Sequence, residues 1–304
     1  MVVCNIVKTQ LKVSPQLTRP RIVGVSHIGL FVHDMEKSLA FYRDLLGFEE
    51  QYELTKPDGG LAMKFIKVND RQCVELFPER SPTEDRLYQV ALIVEDIEAV
   101  RSHLATAGIT VPEKAPKGRI GNLNFSIKDP DGHIVEFVQY TSDGWTLGDS
   151  GKHLGPARIS ARIKHLGFTV RDLDASLAFY RNILGCTETW RGSPDGERLA
   201  WVNVKLPDSD EYLELMLLNE EPNWERKGVL NHMSLEVDDV PDAVEVVAAR
   251  AHDGLYDRPL THKVGINRKR QCNLIDPDGT RAELMEPNTI DGMSPAWFQP
   301  PAAK

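Results

Sequence analysis

The sequence predicts an α+β fold built from four βαβββ modules paired into two domains, and three observations carry that prediction. HIGLFVHDMEKSLAFYRDLLG, beginning at His27, recurs as HLGFTVRDLDASLAFYRNILG from His165, an offset of 138 (165 − 27). DPDGHIVEF at Asp129 recurs as DPDGTRAEL at Asp276, an offset of 147 (276 − 129), so loops have diverged around fixed strands. Each half then divides again. Alternating strands begin at His27, Tyr88, His165 and Asn231, and each leads through a helix to strands that close on CVELF, HIVEFVQY, YLELMLL or RAELMEP.

Local signals support each element. Asp34 is placed to cap a helix whose Met35, Leu39, Tyr42 and Leu46 share one face, and Gly47 follows where a left-handed residue is wanted. Asp172, Leu173, Leu177, Tyr180, Leu184 and Gly185 repeat that plan. Later helices start near Asp96 and Asp239, the latter with Pro241 in its first turn, and Gly108 stops the former. DPDG is a tight turn feeding a final strand. The expected division is an N-terminal extension over 1–20, a first domain over 21–142, a Gly-rich linker over 143–160, a second domain over 161–288 and a tail over 289–304.

At 304 residues the chain is long enough for two ordinary domains with sizeable cores. A net charge of −9 without a basic stripe argues against nucleic acid as a partner. No apolar run approaches the roughly 20 residues of a spanning helix, and the opening MVVCNIVKTQ lacks a signal-peptide core. Cys4, Cys73, Cys186 and Cys272 are scattered, so neither a disulfide framework nor a zinc–thiolate site is expected. These features suggest a cytoplasmic protein, monomeric or homodimeric, whose partner is a small molecule rather than a membrane or a nucleic acid.

The polar residues recur at matching points. His27, Gln89, His165 and His232 stand in the first strand of each module, and Glu75, Glu136, Glu214 and Glu283 in the last. Two positions beyond each first-strand residue stands a small one, Gly29, Ala91, Gly167 or Ser234, which leaves room on that face. A single strand histidine is more often a hydrogen-bonded structural group than a ligand. Fourfold recurrence shifts that balance, because an inward glutamate needs a cation or donors to offset its desolvation. Imidazole with carboxylate suits one divalent ion per working site, whether Ni, Zn, Fe, Mn or Co. His33, His103, His133, His153 and His252 read as surface residues, while His262 sits in a loop that could face a site. Arg268, Lys269 and Arg270 read as a solvated edge, with an anion clamp as the functional alternative. The segments around Trp145 and Trp224 look like linker and lid-like loops.

The motifs H-x-G-x-x-V, SLAFYR-x-x-LG and DPDG-x-x-x-E resemble the vicinal oxygen chelate superfamily of glyoxalases, bleomycin-resistance proteins and extradiol dioxygenases. The resemblance spans about residues 22–287. It implies two glyoxalase-like domains in which each module gives a first-strand ligand and a last-strand Glu. If neighbouring modules pair, the sets are His27/Glu75/Gln89/Glu136 and His165/Glu214/His232/Glu283. If modules cross, they are His27/Glu75/His232/Glu283 and Gln89/Glu136/His165/Glu214. The set containing His232 and Glu283 is preferred because Gln is the weaker ligand.

The resemblance further implies a metal-dependent lyase or isomerase, similar to lactoylglutathione lyase, with Glu283 or Glu214 moving a proton next to a metal-polarised oxygen. Lys269 matches a basic position that binds the thiol co-substrate in glutathione-dependent glyoxalases. Those enzymes also carry an Arg four residues after a first-strand ligand; here the equivalents are Phe31, Ile93, Thr169 and Glu236. One alternative is extradiol ring cleavage, which would use His165, His232 and Glu283. Asn273 stands where those enzymes place a Tyr, Ser126 is its equivalent in the first half, and residues 265–271 contain no His. The other alternative is a metal-free binding protein of the bleomycin-resistance type.

Overall fold

The computed structural model describes residues 19–218, 230–252 and 254–299. Cys4, Trp224 and most of the expected N-terminal extension lie outside them. The first half contributes β1 (Ile22–Val32), β2 (Glu49–Thr55), β3 (Leu61–Asn69), β4 (Gln72–Pro78), β5 (Leu87–Val94), β6 (Leu123–Lys128) and β7 (Ile134–Gln139). The second contributes β8 (Ile163–Val170), β9 (Thr187–Gly192), β10 (Trp201–Lys205), β11 (Tyr212–Leu217), β12 (His232–Glu236), β13 (His262–Val264), β14 (Arg270–Ile275) and β15 (Arg281–Met285). They form two mixed sheets, ordered β2-β3-β4-β1-β5-β7-β6 and β13-β14-β15-β12-β8-β11-β10-β9.

In every module the first strand lies parallel to the last: β1 with β4, β5 with β7, β8 with β11 and β12 with β15. The first strands then join antiparallel, β1 to β5 and β8 to β12, so neighbouring modules pair and crossed pairing is excluded. Three modules carry four strands. In the second, the stretch before β6 is reduced to a single bridge between Lys117 and Leu123.

Asp34 and Asp172 cap α1 (Met35–Leu39) and α3 (Leu173–Leu177), their side chains accepting from the backbone N–H of Lys37 and Ala175. Asp96 and Asp239 do the same for α2 (Ile97–Thr106) and α4 (Val240–Arg250). Both SLAFYR copies then widen into a π-helical turn, Ala40–Leu45 and Ala178–Ile183. That widening is invisible to a reading of helical spacing, since the apolar positions fit either period. Gly47 and Gly185 end these helices with φ of 76° and 78°, conformations that a side chain would strain.

The reason for the identical SLAFYR copies lies between the halves. Tyr42, fully buried, donates its hydroxyl to Asp276 Oδ2 at 3.0 Å, and Tyr180 donates to Asp129 Oδ2 at 2.8 Å. Ser38 and Ser176 likewise donate to Asp278 and Asp131. The SLAFYR helix of each half therefore grips the DPDG turn of the other. A second reciprocal contact ties the first strands. Gln72 receives from the N–H of Ile163 and donates to its carbonyl, while Glu211 accepts from the N–H of Val25 at 2.5 Å. His103 and His133, read from sequence as surface residues, belong to this junction: their Nε2 atoms reach the carbonyl oxygens of Ile183 and Thr169.

Removing one hydroxyl should cost more than an average hydrogen bond, because a buried carboxylate then loses a donor. Tyr42→Phe and Tyr180→Phe are each expected to lower unfolding free energy by about 1–3 kcal/mol, read from denaturant midpoints at unchanged m. A surface control, Tyr256→Phe excepted because it bonds Ile275 N, should shift far less.

Candidate metal centres and the cavity over the first

On β1 and β5, His27 and Gln89 face one another; on β4 and β7, Glu75 and Glu136 close the ring. His27 Nε2 lies 3.3 Å from Glu75 Oε2, 3.0 Å from Glu136 Oε2 and 2.8 Å from Gln89 Nε2. Gln89 Nε2 also donates to both carboxylates at 3.2 Å. All four side chains are buried. The small residue expected beside the ligands has a definite purpose: a Cβ on Gly29 would stand 2.8 Å from Gln89 Cγ. Gly167 plays the same part in the second half, where a Cβ would collide with the His232 ring.

The imidazole tautomer of His27 follows from its neighbours. Tyr140 gives its only proton to the Arg71 carbonyl at 2.6 Å, so Ser26 must donate to Tyr140 and its oxygen is left to accept from His27 Nδ1–H at 3.1 Å. In the neutral ring Nε2 is therefore the unprotonated nitrogen, turned toward the carboxylates as a metal ligand must be. Burial works against a charge on His27, but the carboxylates of Glu75 and Glu136 outweigh it and raise its pKa. Glu75 is pushed up to about 7, chiefly by burial and further by the charge of Glu136.

The second quartet is equally convergent. His165 Nε2 and His232 Nε2 stand 3.0 Å apart, with Glu283 Oε2 3.5 Å from the former and Glu214 Oε2 3.4 Å from the latter. His232 Nδ1 donates to the Leu230 carbonyl at 2.7 Å, which again frees Nε2. Burial holds His165 far below the usual imidazole range, and burial with the Arg281 charge holds His232 at about 3, so both are neutral.

Both quartets fit a divalent ion. Each brings unprotonated nitrogen and carboxylate oxygen to one buried point, a juxtaposition that is costly without a cation. They differ in what surrounds that point. Arg281 places Nη2 2.8 Å from His232 Nε2, whereas the matching residue of the first half is Ile134. Among the described residues, no Lys or Arg pairs with Glu75 or Glu136. Lys269 lies beside the second quartet, half-buried, its ammonium disfavoured by burial and by Lys164 but supported by Glu236 and Glu283. His262 is exposed on the edge strand β13 and takes no part.

A cavity of 240 Å³ opens on the first quartet, with Phe65, Leu54 and Val138 on its apolar wall and Asn122, Asn124 and Arg119 on its polar side. Part of the expected linker borders it, with Thr146 in its lining. The Trp145 ring packs 4.9 Å from Tyr52, whose hydroxyl donates to Asp149 Oδ2, and the buried Lys67 ammonium donates to the carbonyls of Asp149 and Lys152 at 2.7 Å each. The tail takes the matching place in the second half: Trp190 Nε1 donates to the Ala296 carbonyl and Phe298 N to that of Arg191. Sequence reading placed the Trp145 segment among linker and lid-like loops without assigning it these contacts, although Thr141-Ser142-Asp143-Gly144 and Thr289-Ile290-Asp291-Gly292 visibly repeat.

Known proteins share this plan. The family model described as glyoxalase/bleomycin resistance protein/dioxygenase superfamily matches residues 24–137 and again 162–284. The chain belongs to this superfamily. Among its relatives, lactoylglutathione lyase of Schizosaccharomyces pombe is 21% identical and aligns over 86% of this chain and 96% of its own length. A Bacillus subtilis protein, uncharacterized protein YwbC, is 26% identical over 38% of this chain and 96% of its own. The Mn(II)-bound glyoxalase from Novosphingobium aromaticivorans superposes with a TM-score of 0.68 at 18% identity, covering 92% of this chain and 85% of that one. The 2,3-dioxygenase LapB from Pseudomonas sp. KL28 gives 0.64 at 18%, covering 92% and 98%. At these identities the structural likeness shows the superfamily fold. Among the described residues no helix is long and apolar enough to cross a membrane.

Glu75 offers a direct test of the charge crowding. Its folded pKa of about 7 lies above the ordinary 4.5, so the folded chain holds an extra proton between those values and stability falls as pH rises through that window. In chelator-treated protein, Glu75→Gln should flatten the decline in melting temperature between pH 4.5 and about pH 7. An unchanged slope would mean that Glu75 carries no such strain.

Proposed function

We propose that this chain is a metal-dependent, glyoxalase-like lyase or isomerase that moves a proton between adjacent carbons of a small oxygenated substrate, with the first quartet as its working centre. The observation that supports this reading is the coincidence of two buried carboxylates, an oriented imidazole and a carboxamide with the floor of a 240 Å³ cavity. Ligand strength alone favours the second quartet, with Glu214 and Glu283 as bases. The cavity and the missing resident cation favour the first.

His27, Glu75, Glu136 and Gln89, its amide turned to present oxygen, would hold one divalent ion, which supplies a Lewis acid for a substrate oxygen. The chain's own residues do the rest. The apolar wall of Phe65, Leu54 and Val138 seats the substrate's carbon skeleton, and Tyr52, held from outside by Trp145, narrows the space left to water. Glu75 or Glu136, facing the cavity, takes the proton from one carbon and returns it to the next. Ser26 and Tyr140 keep the His27 ring fixed while this happens.

Extradiol ring cleavage is the second reading, since His165, His232 and Glu283 converge. Against it, Asn273 stands opposite Glu283 on β14, with its Oδ1 buried and unpartnered, where a proton donor would be needed. Metal-free binding is the third, and it gives the inward carboxylates no cation.

The decisive measurement is proton exchange. Metal-loaded protein should exchange the α-proton of a methylglyoxal–thiol hemithioacetal with solvent deuterium, without oxygen uptake on a panel of catechols. Glu136→Gln should slow that exchange by about 10²–10⁴-fold. Oxygen consumption with a yellow ring-cleavage product would overturn the lyase reading. Loss of activity in Glu283→Gln but not in Glu136→Gln would move the chemistry to the second quartet.

A further inference from the structure

The scatter of cysteines gives no hint of thiolate ligation, yet one of them stands at the first centre. Cys73 lies on β4 two residues before Glu75, on the same face, and directly opposite His27 in the parallel β1–β4 register. Its sulfur, a His27 ring nitrogen and a Glu75 oxygen all lie within 4.8 Å of one another. Cys73 also lines the cavity, and among the described residues its sulfur makes no hydrogen bond.

The duplication supplies a control within the same molecule. The residue matching Cys73 in the second half is Tyr212, opposite His165 in the β8–β11 register. Its ring stacks on His165 with centroids 4.5 Å apart and offers no donor at the ligand position. The second quartet instead has His232 where the first has Gln89. Weak carboxamide goes with thiol in one half, and strong imidazole goes with a stacked aromatic ring in the other. Exchange of donors in this pattern gives the two centres different softness.

We propose that Cys73 is a fifth donor of the first centre, which therefore takes a thiophilic divalent ion of the zinc, cobalt or nickel type. The inference rests on the metal reading above and extends it to the nature of the ion. On binding, the thiol releases its proton to solvent and a sulfur–metal bond forms; nothing is oxidised or reduced. An ion of this type, seated in the cavity that the substrate enters, suits proton transfer better than oxygen activation.

Cobalt(II) provides a readout independent of turnover. Titrated into the metal-free full chain, it should give visible d–d bands together with an intense near-ultraviolet sulfur-to-cobalt charge-transfer band. Cys73→Ser should lose the charge-transfer band, whereas Cys186→Ser and Cys272→Ser, which alter buried residues away from both quartets, should retain it. The wild-type band is itself diagnostic should Cys73→Ser fold poorly. Cobalt bound with d–d bands but no charge-transfer band would overturn the proposal and leave the metal reading standing. No cobalt uptake at all would overturn both.

Discussion

Tyr42 and Asp276 meet across the junction of the two halves, and Tyr180 and Asp129 meet at the corresponding place. Each aspartate opens the turn that feeds a closing strand, β7 or β15, and each closing strand carries a quartet glutamate seven residues on, Glu136 or Glu283. Asp276 also accepts from the N–H groups of Asp278 and Thr280, so one buried carboxylate organises its own turn and docks it on the other half. Burial raises the pKa of Asp276 to about 7 and raises that of Asp129, the signature of a carboxyl taken far from water. The site glutamates thus depend on a contact made outside their own sheet. A strand free to slip by one residue would turn its glutamate to the opposite face.

Within each sheet the governing constraint is charge. The antiparallel junction of β1 with β5, or β8 with β12, brings two first strands side by side, and the parallel last strands flank them. Four inward side chains then converge because of register. The halves balance the resulting charge differently. The second has Arg281 at one edge and Lys269 nearby, with an aromatic ring stacked on His165. The first has Ile134 in place of Arg281 and a thiol in place of the ring, and among the described residues no Lys or Arg pairs with either of its carboxylates. A duplicated fold has kept the convergence while letting its chemical surroundings diverge.

Much of this was legible in the sequence. Alternation placed His27, Gln89, His165 and His232 on first strands and the four glutamates on last strands, because strand period and small neighbours are local properties. Capping at Asp34, Asp96, Asp172 and Asp239 was readable for the same reason. What could not be read were the consequences of distance along the chain. Nothing local says that Tyr42 meets Asp276, or that His103 and His133 serve the junction rather than the surface. The pairing of modules is likewise a property of the folded sheets. The strand missing from the second module reflects a stretch, 109–122, where turn formation overrides pairing.

Neighbour pairing has a consequence for how the two centres can change. Each quartet is drawn from one continuous half, so a substitution such as Ile134 to a basic residue, or Cys73 to an aromatic one, alters one centre without touching the ligands of the other. Crossed pairing would instead have made every quartet draw on both halves and so depend directly on their relative position. What the halves still share is the reciprocal grip of helix on turn and of Gln72 and Glu211 on the opposing first strands. Those contacts involve none of the ligands, and of their residues Gln72 alone also lines the cavity. They fix the position of both closing strands, so the centres are coupled through the stability of the junction and independent in their chemistry.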